Sequence, residues 1–452
     1  MNETWVRRMP ENFGDLQWKD VTNIHPVGLI AVLVLGILML MVSRRRAVLP
    51  MVVVACFIPA VQKVVVFSLD FNLLRIMVLF GVLRLLIRGE GRGFHWKTID
   101  KVLVTYVISA ALINTLQIGT LSAFINRLGF AFDALGMYFV FRCLIRSWED
   151  VDHLILGCIM ISIPLAFAFG VEYATRRNLF SVFGGVPEIT MIRDGALRCQ
   201  GAFSHPILAG CFWATWVPLF ASRWWKNAPG RLWAIVGIGA CLFIIFACHS
   251  STPVFGVIAA LVGGLAFYWR YRMREVLWGI VLSLAALHII MKRPVWGLLA
   301  IASSVGGGTG WHRYKLIDSA IRRIGEWWLL GTRSTAHWGW GMQDVTNQYI
   351  LEGVRGGLLT LALFVAVIVL AFRGVGHLWR ASRHDPHRLA LSWAMGISLF
   401  VHCMNFIGVS YFGQIHIAWY LVLGMIGSSI PIVTPVHGHM KTVAAGSRTK
   451  EL

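Results

Sequence analysis

Acidic residues are scarce in this chain. Only 21 Asp and Glu stand against 41 Lys and Arg, and charged residues make up 14% of 452 positions. So little charge excludes an ordinary soluble domain. The eight cysteines have no paired spacing, which excludes a zinc or disulfide framework. Cys56, Cys143, Cys158, Cys211, Cys241 and Cys403 lie in apolar runs as packing residues, and Cys199 falls in a loop without an evident partner. No metal site is visible, and no metal or other cofactor is expected. Gly306-Gly307-Gly308-Thr309-Gly310 lacks the Lys-Ser/Thr ending of a phosphate loop and reads as a flexible hinge. Such a hinge lets a following segment move as a lid. The first apolar run ends in Arg44-Arg45-Arg46, not in a small-residue cleavage site, so no cleavable signal peptide is expected.

What the chain does have is apolar length. It is 57% hydrophobic. Runs of spanning length occur at 26–42, 47–66, 69–87, 99–117, 124–145, 151–169, 206–222, 231–248, 253–269, 275–291, 347–371, 389–408 and 411–430. The expected fold is therefore all-α: a polytopic membrane protein of 12–13 transmembrane helices, forming a single transmembrane domain over 1–452. Lys63, Asp70 and Arg75 interrupt the second and third runs. The net charge of +20 is scattered through short loops, as cytoplasmic anchors are, which argues against nucleic acid as a partner. Basic residues flank every second junction, placing the C-terminal tail in the cytoplasm and, with thirteen spans, the N-terminus outside. Many of the 20 Trp sit at helix ends, where indole favours the interface.

Two long loops, 171–205 and 292–346, then fall on the same outer face. The second is basic: Lys292, Arg293, Arg313, Lys315, Arg322, Arg323 and Arg333 face only Asp318, Glu326 and Asp344. Cations on that side run against the usual bias, and an anionic substrate at the outer leaflet accounts for them. Within this loop, Leu316, Ile317, Ala320, Ile321, Ile324, Trp327 and Trp328 recur at helical spacing, predicting an amphipathic helix over 313–328. Arg313 projects with the apolar face. It either snorkels to headgroups or points into a cavity. Asp70, Arg75 and Asp133 also sit in apolar runs, where ionisable groups are functional by default. Asp70 with Arg75 reads alternatively as a neutralising pair.

The stretch Arg198-Cys-Gln-Gly201-Ala-Phe203-Ser-His205-Pro206, entering a helix, resembles the outer-loop motif of the O-antigen ligase/polymerase superfamily. A second set agrees in order: Trp311-His312-Arg313, Gly331, Gly339-Trp-Gly341, Asn347-Gln-Tyr349, and Glu352-Gly353 through Gly356-Gly357. The resemblance covers roughly residues 195–430. It implies a metal-independent C-type glycosyltransferase of the bacterial inner membrane. Such an enzyme moves a glycan from undecaprenyl pyrophosphate to a sugar hydroxyl, ligating or polymerising a lipopolysaccharide or exopolysaccharide. The implied partners are the carrier-linked glycan, membrane lipids and other polysaccharide assembly proteins.

Arg198 and Arg313 align with that family's essential arginines. Without a metal, their planar forks would hold the pyrophosphate. Thr346 stands where the ligases carry a His, and the turn His249-Ser250-Ser251-Thr252-Pro253 lacks the family's Arg. Both departures count against a ligase and favour a polymerase or a divergent exopolysaccharide transferase, with a non-catalytic relative as the remaining alternative. They leave the general base among His337, Asp344, His205 and His312, with His337 and Asp344 placed first. Substrate contacts are expected from His205, His312, Arg193, Arg323, Asn347 and Tyr349, with a helix N-cap the alternative for Asn347. A lipid-linked oligosaccharide flippase or transporter is the rival reading, although no repeated halves are visible. A scaffold of an assembly complex is a third.

Overall fold

The computed structural model describes residues 22–66, 69–224, 230–292, 294–300 and 310–428. Arg293, most of the glycine-rich hinge and the C-terminal tail lie outside the described residues. The described residues are helical almost throughout, with two short hairpins among them. Its helices are α1 (Pro26–Met41), α2 (Leu49–Phe57), α3 (Leu73–Ile87), α4 (Thr98–Ile118), α5 (Leu121–Leu144), α6 (Trp148–Thr175) and α7 (Pro206–Ala221). Then come α8 (Arg231–Ala247), α9 (Ser251–Leu265), α10 (Met273–Ile290), α11 (Gly310–Arg322), α12 (Gln348–Ala381), α13 (Pro386–Gly408) and α14 (Ile415–Gly427). Among the described residues, six helical segments are long and apolar enough to cross a membrane, and α1, α8 and α14 are shorter apolar helices. Leu116, Phe167 and Ile289 are 72%, 74% and 83% exposed, as lipid-facing side chains are. The helix α7 is apolar and buried nearly all round, and Trp213, Trp216, Phe212 and Phe220 make it the centre of the core.

One expected span takes another form. The run 47–66 is not one helix: α2 stops at Phe57, and Ile58, preceding Pro59, is extended at φ −122° and ψ 127°. A residue before proline is pushed out of the α region. The chain then forms a hairpin, β1 (Lys63–Val66) against β2 (Leu69–Asn72). Lys63 pairs across it with Asp70 at 2.9 Å. The supposed Asp70–Arg75 pair is also replaced. The Arg75 side chain forks onto Asp133 of α5 at 2.9 and 2.7 Å, and takes only the backbone carbonyl of Asp70.

Hydrogen bonds sort the helix ends into two groups. At the basic end, Arg44 reaches Leu144 O and Asp150, Arg84 reaches Val42 O, Lys97 reaches Ser428 O, and His387 meets Asp152 at 2.9 Å. At the opposite end, Asn178 donates to Gly201 O, Gln414 to Ala202 O, Arg333 to Gln117 O, and Arg313 to Thr252. The described parts of both long loops therefore meet at one end of the bundle, called here the loop end.

Candidate functional site

The segment carrying Arg198 is built by a tight hairpin. Strands β3 (Met191–Arg193) and β4 (Ala196–Arg198) are joined by Asp194-Gly195, with φ 52° and 78°. Two positive φ values in a two-residue loop are what Asp-Gly supplies. Glu172, at the end of α6, accepts from Gln200 N at 3.1 Å, Gly201 N at 2.9 Å and the Thr190 hydroxyl at 3.1 Å. Cys199 N donates to Ala247 O at 2.9 Å. Gly201 sits at φ 57°, and a Cβ there would lie 2.5 Å from the Phe169 ring. The glycine of the Arg198–Gly201 motif thus satisfies both a left-handed turn and a close approach.

Arg313 comes from the loop 292–346, called here the roof loop. The predicted amphipathic helix is present, as α11 followed by a single turn at Ile324–Trp327. Arg313, Leu316 and Ala320 form its buried stripe. Leu316, Ala320, Trp327, Trp338, Met342, Val345, Leu351 and Val354 make a small separate core against the start of α12. Arg313 does not snorkel. It is 8% exposed, donates from Nη2 to Thr252 Oγ1 at 2.7 Å, and lies beside Gly408, where a Cβ would be 3.4 Å from Cζ.

The roof is clipped to α12 by a broken helix. Gly357 has φ 70° and ψ −174°. Leu358 N leaves the helical ladder for Trp328 O at 2.8 Å, and Val354 O accepts instead from Thr332 N at 2.7 Å. Gln117 and Asn114 of α4 bond the Val354 and Arg355 carbonyls at 3.3 and 3.2 Å. A non-helical backbone near the membrane is tolerated when its freed groups are satisfied in this way.

Arg198 and Arg313 flank the same turn. Cys248 neighbours Arg198, and Thr252 receives Arg313. Arg198 is 6% exposed, and the Nε atoms of both arginines are buried without a partner. Among the described residues, neither has a carboxylate within ion-pair distance. Burial, reinforced by the charge of Arg193, pulls both guanidinium groups below their usual range. His205 lies in the same field: burial, then Arg198 and Arg193, push its imidazole down to about 4. It is the N-cap of α7, its Nδ1 accepting from Ile207 N at 3.2 Å. The ring is therefore neutral near pH 7 with its proton on Nε2, a donor and not a base.

Other expected residues fall elsewhere. Arg193 is exposed at the cluster's edge, 3.6 Å from Asp194. Arg323 pairs with Glu326 at 3.1 Å, and Glu326 also accepts from Trp338 at 2.9 Å and meets His337 Nε2 at 2.7 Å. Hydrogen bonds from Trp338 and His337 hold the Glu326 carboxyl down to about 2. Asp344 is exposed; His312 is half-buried beside Gly341. Asn347 caps α12, accepting from Ile350 N at 3.1 Å, and donates to Ile407 O at 3.1 Å. Tyr349 is half-buried; it donates to Cys403 O at 3.2 Å and packs on Phe364 and Phe406. Glu172 and Thr252 were not singled out from sequence. Glu172 carried a usable signal, a carboxylate at the end of an apolar run; Thr252 carried only its place in the turn 249–253. No protein-family model matches this chain, and no curated protein does.

Proposed function

We propose that this protein is a metal-independent membrane glycosyltransferase. It takes a glycan from undecaprenyl pyrophosphate at the outer face of a bacterial inner membrane and adds it to a sugar hydroxyl, as a polymerase in preference to a ligase. The observation that carries this reading is the pair Arg198 and Arg313: two buried guanidinium groups at the loop end, without a carboxylate partner among the described residues. Burying a charge is costly unless it is paired. A pyrophosphate supplies the missing anion, and two forks match its oxygens. His205 Nε2–H adds a neutral donor. The ordered motifs around both arginines supply the resemblance. The basic end then faces the cytoplasm, in keeping with the usual charge bias.

In the proposed reaction, the acceptor oxygen bonds to the anomeric carbon as the bond from that carbon to the pyrophosphate oxygen breaks. The electron pair leaves on the pyrophosphate, and a single displacement inverts the carbon. Arg198 and Arg313 stabilise the charge that develops there. The acceptor proton goes to one of the two roof-loop bases, His337 or Asp344. Of the two, His337 has an orienting carboxylate: Glu326 holds Nε2, leaving Nδ1 to accept. Deleting the gene and separating surface glycans by length tests the reading. A single retained repeat with loss of long chains identifies a polymerase; loss of all core-attached glycan identifies a ligase. An unchanged ladder contradicts both.

A further inference from the structure

A second polar site lies at the loop end, outside the arginine pair. A cavity of about 310 Å³ opens between the end of α2 and helices α3, α5, α12 and α14. Ligand pockets ordinarily run about 300–1,000 Å³, so this one fits a single sugar ring. Its charged lining is uneven. Arg75 is neutralised by Asp133 through a two-pronged bond. Glu352 is buried and held by Gln348 at 2.6 Å. Arg127 and Arg355 also line the cavity; both lie in the field of Glu352, but no carboxylate is within ion-pair distance of either among the described residues. Two guanidinium groups against one carboxylate leave a positive excess. Phe412, 45% exposed, offers an aromatic face, and Asn126 offers an amide.

The segment Tyr411–Gln414 borders both this cavity and the Arg198 loop. Tyr411, Phe412 and Gly413 line the cavity, while the next residue, Gln414, donates to Ala202 O at 2.6 Å and accepts from Ser204 Oγ at 3.3 Å. Gly413 sits at φ 64°, and a Cβ there would lie 3.0 Å from Ser204 Oγ.

We infer that this cavity is the acceptor site and that it selects a carboxylate-bearing sugar. The inference rests on the transferase reading for the word acceptor, but the binding itself does not. Arg127 and Arg355 bind the sugar carboxylate, Glu352 and Gln348 face hydroxyls, and Phe412 stacks on the ring. A neutral hexose leaves the two guanidinium groups with Glu352 as their one shared anion among the described residues.

Purified full-length protein in detergent tests this by saturation-transfer NMR with D-glucuronate, D-glucose and inorganic phosphate as separate probes. Glucuronate is expected to bind at least tenfold more tightly than glucose. R127Q and R355Q should each weaken it about tenfold, the loss expected for one charge-assisted hydrogen bond. R355K, which keeps the charge, should keep the preference for glucuronate, and thermal unfolding should show each variant folded. R313A should retain glucuronate binding while losing transfer, so failure of the cavity reading is separable from failure of the transferase reading. Equal binding of glucose and glucuronate, no binding of either, or glucuronate binding indifferent to both Arg→Gln changes overturns the inference. So does phosphate binding alone that is lost with Arg127 and Arg355.

Discussion

Arg313 of the roof helix and Thr252 of the first turn of α9 are joined by a 2.7 Å hydrogen bond between positions 61 residues apart. This bond uses one Nη and leaves Nε buried and unpartnered. Thr252 therefore aims the guanidinium and does not neutralise it. T252V removes the acceptor but keeps the shape. Transfer should fall about tenfold, as expected for losing one hydrogen bond to a charged group. R313A should lose about 10²–10³-fold, the scale of removing a donor to developing charge. R313K should recover little, because an ammonium lacks the paired fork. Initial rates on carrier-linked glycan check all three; equal rates for T252V and wild type remove the aiming role.

Gly201 should not tolerate a side chain. Its φ is 57°, and an added Cβ would meet the Phe169 ring at 2.5 Å, so both backbone and packing oppose alanine. The left-handed conformation alone costs about 1–2 kcal/mol for an L-residue. G201A should lower the thermal unfolding midpoint in detergent and, by shifting Arg198, also reduce transfer. E172Q should do the same, because a neutral amide accepts less strongly from Gln200 N and Gly201 N. A midpoint unchanged in both would mean that the loop is held by other contacts.

Stability should fall as acid is added, partly through His205. Burial and two arginines lower its folded value to about 4, from an ordinary value near 6.5. Between those values the unfolded chain binds the proton that the folded chain refuses, so stability rises with pH across that window. Above the window this residue contributes no slope. Unfolding midpoints from pH 4 to 7.5 should show a shallower acid decline in H205Q than in wild type. An identical decline would mean that His205 is not buried against the arginines.

Much of this was legible in the sequence. The apolar runs located nearly every helix, because a bilayer demands length and apolarity that composition reports directly. The 3.6-residue spacing gave the roof helix, since its buried stripe of Arg313, Leu316 and Ala320 lies on one face. Run 47–66 misled, because hydropathy cannot tell a continuous helix from a nine-residue helix followed by a valine-rich strand. Partners far apart in sequence were hidden altogether. Arg75 finds Asp133 across 58 positions, and only the packing of α3 against α5 decides that. The cavity of Arg127, Arg355 and Glu352 was invisible for the same reason, being assembled from helices distant in sequence.

Sidedness has its own check. Single cysteines at exposed positions such as Arg322 and Gln343 should react with a membrane-impermeant thiol reagent in intact cells. A cysteine at Arg383, at the basic end, should react only after permeabilisation. Labelling of the roof loop only from the cytoplasm would remove the outer-face site.

The base assignment separates by exchange. H337Q should lower transfer by about 10²–10⁴-fold, the usual contribution of a positioned acid or base, and should flatten the pH profile. D344N should be nearly silent. The opposite pattern moves the proton to Asp344.

Arg198 and Arg313 are proposed to hold a pyrophosphate leaving group. The most direct measurement incubates purified protein with undecaprenyl pyrophosphate-linked oligosaccharide and follows released undecaprenyl pyrophosphate together with glycan length. Wild type should release one carrier per linkage formed, R198A and R313A should lose nearly all release, and R322A should change little, because the Arg322 side chain is exposed and paired with Asp318. No release by wild type, or equal release by all four proteins, would contradict that role.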